Sequence, residues 1–184
     1  MENGFDQTTV ADIAERAGLT KRTFFRHYAD KRDVLFAGMI PMREVVIRAV
    51  AETPAASPPL AAVTSGLEAA AEMFQDRPEE VRMRQTIIDA HLELQERELV
   101  KLATLVGDIT AALRERGVGA WTARLLAEAG MAAFRVAFAR WIANEEGELL
   151  LTQVFRESMA ELAELTEAAE VTEVTEVTGA VAEV

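Results

Sequence analysis

Apolar residues recur at three- and four-residue steps along most of this chain, and breakers divide them into short helices first and longer ones later. Val10, Ile13 and Ala14 share one face of a run that Thr9 can cap, with Asp12 three residues on to close a capping box. Gly18 stands where a left-handed residue most easily ends that helix. Thr20 can cap a second helix, in which Leu19, Phe24 and Tyr28 turn toward a small core while Lys21, Arg22, Arg26 and His27 turn outward. Asp30 caps the next. From Lys31 to Ala51 the pattern stays helical around Pro41, which removes one amide and predicts a kink or a split. Thr53 to Pro59 carries three prolines and reads as a loop.

Longer helices follow. Leu60 to Asp76 is one run, and Pro78 with Glu79 and Glu80 marks the start of another, acidic at its positive end. That run carries Val81, Met83, Ile87 and Ile88, and its boundary with the following helix falls near His91. From Leu99 the residues Leu102, Val106, Ile109 and Leu113 predict an amphipathic helix that ends at Gly117, with its opposite face charged and wet. Between Leu125 and Ala143 only Glu128, Arg135 and Arg140 are charged among nineteen residues, so the helix from Trp121 to Asn144 needs cover on more than one side. A bilayer would give such cover, but three charges at about 2.5 to 3.5 kcal/mol each near its centre argue for burial between subunits instead. Glu148 to Ala169 is the last predicted helix, with Leu151, Phe155, Met159, Leu162 and Leu165 along one side. Residues 170–184 repeat Glu-Val-Thr at a period of three, which fits neither helix nor strand and reads as an acidic low-complexity tail.

This pattern predicts an all-α protein, and composition narrows what it can do. Half of the 184 residues are hydrophobic, which excludes a mainly disordered chain. Cysteine is absent, so there is no disulfide, thiolate metal site or thiol nucleophile, as suits the cytoplasm. No charged and apolar leader begins the chain. His91, the one histidine beyond residue 40, has no second histidine or cysteine at ligand spacing, and Glu93, Glu96 and Glu98 beside it read as a solvated face. With no glycine-rich phosphate loop and no serine elbow, the expectation is a protein that is not an enzyme and needs neither metal nor cofactor.

Charge then singles out the amino-terminal end. The chain carries a net charge of −12, yet from residue 16 to 32 Arg16, Lys21, Arg22, Arg26, Lys31 and Arg32 face Asp30 alone, about +5 locally. A basic helix on an acidic protein is an electrostatic footprint for phosphates, or else a solvated cationic surface. The turn residues and their order favour the first. Gly4-Phe5, Thr8-Thr9-Val10, Ile13-Ala14, Ala17-Gly18-Leu19-Thr20, Thr23, Phe25, His27-Tyr28, Lys31 and Val34-Leu35 together resemble the DNA-binding domain of the TetR family of bacterial transcriptional regulators. The resemblance covers about Gly4 to Leu35. It departs at Phe25, where tyrosine is commoner and a hydroxyl would reach a phosphate.

What the resemblance implies is a helix-turn-helix DNA-binding head over residues 1–40, a helical ligand-binding and dimerisation body over 41–169, and the tail. It implies a ligand-responsive repressor acting as a homodimer on a double-stranded, palindromic operator, with a helical small-molecule-binding protein that has lost DNA recognition as the alternative. Thr9, Thr20, Lys21, Arg22, Thr23, Phe25, Arg26, His27 and Lys31 are the expected DNA-binding residues, with Lys21 and Arg22 reading bases and Lys31 and the amides near Thr9 holding phosphates. The dimer would form through residues 121–169. A hydrophobic effector would lie among Met73, Phe74, Met83, Ile87, Met131, Phe134, Phe138 and Trp141, a list that equally describes a core. Arg135 could hold an acidic group of that effector or pair with Glu128 or a carboxylate across the dimer. Family heads also begin with a helix of which Met1 to Phe5 supplies only the end, so the expectation is either a true start upstream of Met1 or a truncated form with a stable body and loose heads.

Overall fold

Side-chain caps start the short helices one by one in this computed structural model, which describes residues 4–144 and 149–165. α1 is the single turn Gly4–Gln7, and Thr8 Oγ1 donates back to the Gly4 carbonyl at 2.6 Å. α2 (Val10–Arg16) opens on the capping box: Asp12 N donates to Thr9 Oγ1 at 3.2 Å and Thr9 N donates to Asp12 Oδ2 at 2.8 Å. Gly18, at φ +66°, takes the chain out of α2, and Thr20 Oγ1 accepts from Thr23 N at 3.1 Å to start α3 (Lys21–His27). In α4 (Lys31–Leu35) Asp30 Oδ1 accepts from the amides of Arg32 and Asp33. A side-chain oxygen on free amides is what lets helices this short persist.

The chain does split between Lys31 and Ala51, but ahead of Pro41. Residues 36–38 form a turn in which Phe36 N donates to Asp33 O and Ala37 N to Val34 O. Pro41 then lies in the first turn of α5 (Met39–Glu52), where its missing amide would have had no partner inside the helix. α6 (Pro59–Gln75), α7 (Pro78–Asp89), α8 (Leu92–Glu115) and α9 (Ala120–Ala143) follow, with His91 between α7 and α8. Residues 151–165 are helical and form α10, while the predicted tail 170–184 lies outside the described residues. Among the described residues all regular structure is helix.

Contacts gather the chain into two compact units, to which α5 and α8 each contribute a part. The first comprises residues 1–44 and 77–105. It is a grouping by packing, and says nothing for or against the functional division expected at residue 40. Its core is small: Phe36, Ile88 and Leu94 are buried, with Phe5, Leu35, Met39 and Ile87 packed against them. Ala14 and Phe24 form a second nucleus where α2 meets α3.

The second unit comprises 45–76 and the chain from 106 onward. Here α6 and α9 approach closely, Gly130 of α9 leaving room for Val63 and Leu67 of α6, and Gly66 of α6 does the same for Val46 and Val50 of α5. A Cβ on Gly130 would collide with Val63 Cγ1, and one on Gly66 would come within 2.7 Å of Val50 Cγ2. Ala62, Ala70, Ala71, Ala123, Ala127 and Ala137 are buried along the same helices. Phe155 and Leu151 of α10 complete the core, with the rings of Phe134 and Phe155 5.5 Å apart. Polar ties are few but specific: Gln75 Oε1 accepts from both Thr152 N and Thr152 Oγ1, and Arg116 Nη1 donates to the carbonyl of Thr53 at 2.6 Å.

Two expectations need correction. Leu19 is exposed rather than part of the small core. Leu102, Val106, Ile109 and Leu113 do turn inward, but the outer side of α8 between residues 99 and 111 is uncharged: Leu99, Val100, Ala103, Thr104, Gly107 and Ala111 are exposed while Glu98, Lys101 and Asp108 are half-buried.

Candidate nucleic-acid interface

The residues singled out on α3 fall on two sides of the helix. Phe24 is 2% exposed and anchors it, its ring 5.3 Å from Tyr28. Lys21, Arg22, Phe25 and Arg26, at i, i+1, i+4 and i+5, are exposed together on the outer side. Phe25 is 56% exposed, with its ring edge-on to Phe24 at 5.5 Å. His27 is exposed too, and its Nε2 lies 3.4 Å from Arg26 Nη2. Thr23 is half-buried, its hydroxyl 3.0 Å from the Thr20 hydroxyl, so these two threonines are engaged with the cap of α3. Thr9 is likewise engaged: its hydroxyl donates to Asp12 Oδ2 at 2.8 Å. The backbone amide of Thr9 and the hydroxyl together hold the Asp12 carboxyl below its ordinary value.

Lys31 is placed differently from the outward cations. Its ammonium donates to the carbonyls of Phe5, Asp6 and Thr8 at 2.8, 3.0 and 3.1 Å and sits 4.6 Å from the centre of the Phe5 ring. An ammonium has three protons, and three carbonyls take them. In this arrangement Lys31 closes the end of α1 and has no donor left for a phosphate. Arg32 is engaged as well, donating through Nε and Nη2 to Glu93 at 3.0 and 2.9 Å, and Glu93 chiefly raises its pKa. The exposed cationic surface thus reduces to Arg16, Lys21, Arg22 and Arg26.

Glu93 and Glu98, read from sequence as a solvated face, have partners: Arg84 Nη2 donates to Glu98 at 3.0 Å while Arg84 Nε donates to the Leu35 carbonyl at 2.7 Å. His91 Nδ1 lies 2.7 Å from the Ile87 carbonyl and Nε2 3.2 Å from Asp6 Oδ1. The Arg84–Leu35 and His91–Asp6 contacts span 49 and 85 residues, and no local spacing announces them.

A helix with a buried aromatic on one side, a threonine cap at its start and clustered cations on the other side can enter a major groove with its amino-terminal residues toward the bases. Residues 1–37 match the family described as bacterial regulatory proteins, tetR family. The match covers the head alone, and there the chain is similar to TetR-family regulators. The HTH-type transcriptional regulator TcmR of Streptomyces glaucescens is 33% identical over 76 residues, covering 41% of this chain and 34% of that protein. The match thus spans about a third of that relative's length. A TetR-family head is a DNA-binding domain of transcriptional regulators, and α2 and α3 are its helix-turn-helix.

The expected effector residues divide between the units. Met83 and Ile87 belong to the first, where Met83 is 54% exposed and Ile87 packs beside Phe36. In the second, the ring of Phe74 lies 6.2 Å from Phe134 and 5.5 Å from Phe138, and Phe138 lies 5.9 Å from Trp141; Met131 is buried and Met73 half-buried. Arg135 is exposed, and Glu128 accepts from Arg124 at 2.6 Å. No described helix is long and apolar enough to cross a membrane.

Proposed function

We propose that this protein is a ligand-responsive repressor that acts in the cytoplasm as a homodimer, inserting α3 into successive major grooves of a palindromic operator. The observation that carries the reading is the outward cluster Lys21, Arg22, Phe25 and Arg26 on a helix anchored by Phe24 within a TetR-family segment. Lys21 and Arg22, at the amino-terminal end, are the base readers; Arg26 and Arg16 meet phosphates together with the amides near Thr9. Lys31, first expected on a phosphate, acts by holding the end of α1.

The dimer is supported by an uncovered stripe on α9. Trp121 is 89% and Val136 55% exposed, and Leu125, Ala132, Ala139 and Ala143 are exposed at the intervening turns. Apolar residues left open at this spacing favour an isologous helix pairing with a second copy, through α9 and α10. Two-fold symmetry then requires heads about 34 to 36 Å apart, or a multiple. The aromatic cluster of Phe74, Phe134, Phe138 and Trp141 supports a hydrophobic effector, whose differential affinity for two states of the dimer would weaken operator binding.

Selection from a random duplex pool at about 150 mM salt tests the reading. The expected product is a two-fold symmetric site bound by two copies, with Val136→Asp dissociating the dimer and abolishing selection. Failure to enrich any duplex would leave a helical binding protein without DNA recognition. A hydrophobic ligand that raises the melting temperature should release DNA at the same concentration, and Phe138→Ala should shift both responses together.

A further inference from the structure

We propose that Arg97, far outside the helix-turn-helix, is a positioning residue for operator recognition: it clamps the corner where α3 passes into α4 and ties that corner to α8. The proposal rests on the DNA-binding reading above. Asp30 and Asp33 make a reciprocal cap at this corner. Asp30 Oδ1 accepts from the amides of Arg32 at 2.8 Å and Asp33 at 3.2 Å, and Asp33 Oδ2 accepts from the amide of Ala29 at 3.0 Å. Two carboxylates drawn onto the same short turn repel each other. Arg97 lies across both: Nη1 donates to Asp33 Oδ1 at 2.7 Å and Asp30 Oδ1 at 3.2 Å, and Nη2 donates to Asp30 Oδ2 at 3.2 Å.

Isolated surface pairs contribute little, because water competes for both partners. This arrangement differs in three ways. The guanidinium is forked onto two carboxylates, all three side chains are only about a third exposed or less, and each carboxylate also receives backbone amides. Ala29 follows α3 after Tyr28, so the direction in which α3 leaves the corner depends on these bonds. Arg97 itself stands on α8, which continues unbroken past residue 105 into the second unit. Lysine would replace it only in part, because its ammonium lacks the planar fork that meets both oxygens of Asp30 and Oδ1 of Asp33 at once.

The test uses the full chain, with the duplex selected by the wild-type protein and a scrambled duplex as probes. Arg97→Gln should weaken binding to the selected duplex on the order of tenfold, the scale of one charge-assisted hydrogen bond. Its salt slope should stay unchanged, because Arg97 touches no phosphate. Amide exchange at Ala29, Arg32 and Asp33 should quicken, while the buried amides of 62–71 in the second unit keep their protection. Arg97→Lys should fall between, and Asp33→Asn added to Arg97→Gln should recover part of the loss by removing one of the two repelling charges. A salt slope reduced by about one would make Arg97 a phosphate contact and overturn the proposal. So would equal loss of protection in both units, which marks a general fold defect, or unchanged exchange at the corner. If the wild-type protein selects no duplex, the DNA reading fails and the operator role of Arg97 with it; the exchange measurement then still decides by itself whether Arg97 holds the corner.

Discussion

The two units are held by different physics. In the second, helices meet through glycine, alanine and large apolar side chains, with Gly66 and Gly130 allowing backbones to approach and Leu67, Val154 and Phe155 fully buried. In the first, the apolar core is small and much of the cohesion is charge-assisted: Lys31 on three carbonyls, Arg32 on Glu93, Arg84 on Glu98 and Leu35, Arg97 on Asp30 and Asp33. Apolar packing is not screened by simple salts, whereas partly exposed charge pairs are. The difference teaches where responsiveness resides. The unit that carries α3 is the one that ionic conditions and small charge changes can loosen.

The largest way to sharpen that contrast is Phe155→Ala, which should remove about 3 to 5 kcal/mol from the second unit. The loss, read from urea unfolding, should be the same at low and high salt. Gly130→Ala should come next, at about 1 to 3 kcal/mol of overpacking, because Val63 is β-branched and stiff and cannot move its Cγ1 aside. A stabilised Gly130→Ala variant would show that α6 and α9 are less tightly apposed than described.

Lys31→Met keeps the apolar stem over Phe5 but leaves the carbonyls of Phe5, Asp6 and Thr8 without their donor. It should destabilise the first unit by about 1 to 3 kcal/mol, and amide exchange in α1 and α4 should report it first. A smaller and more graded break comes from acid. Asp12 is held below its ordinary value of 3.8 by the amide and hydroxyl of Thr9. For Asp30, burial pushes up, but the amide of Asp33 and the Arg97 guanidinium overcome it and the net direction is down. Groups depressed in the folded state contribute stability that is complete above 3.8 and is lost as pH falls through their folded values. The caps of α2 and α4 should therefore fray on acidification below 3.8, before the buried amides of α6 and α9 open. Simultaneous opening would mean that the caps do not hold the first unit.

Much of the head was legible because its signals are local. Thr9 with Asp12, Gly18, Thr20 and Asp30 act within three residues of themselves, and all four serve as caps or breaks in the structure. The long helices were legible from periodicity, to within a few residues at their ends. What stayed hidden was pairing at distance. Arg97 lies 67 residues from Asp30 and Arg84 lies 49 from Leu35, and nothing in the spacing of α7 or α8 marks either arginine as different from a solvated one. Lys31 was misleading for the same reason: its type fits a phosphate, and only the returning end of α1 reveals three carbonyls around it. The outer side of α8 was mistaken because Glu98, Lys101 and Asp108 lean into half-buried positions while Leu99, Val100 and Ala103 face out.

Arg22 offers the most direct test that α3 reads DNA sequence. Wild-type protein and Arg22→Ala would be titrated against the selected duplex and against each of its single base-pair variants at one salt concentration. The expected result is a loss of about 1 to 3 kcal/mol on the selected duplex, with discrimination gone at particular base pairs and intact at the others. An identical base-pair preference in the two proteins, whatever their affinities, would contradict it.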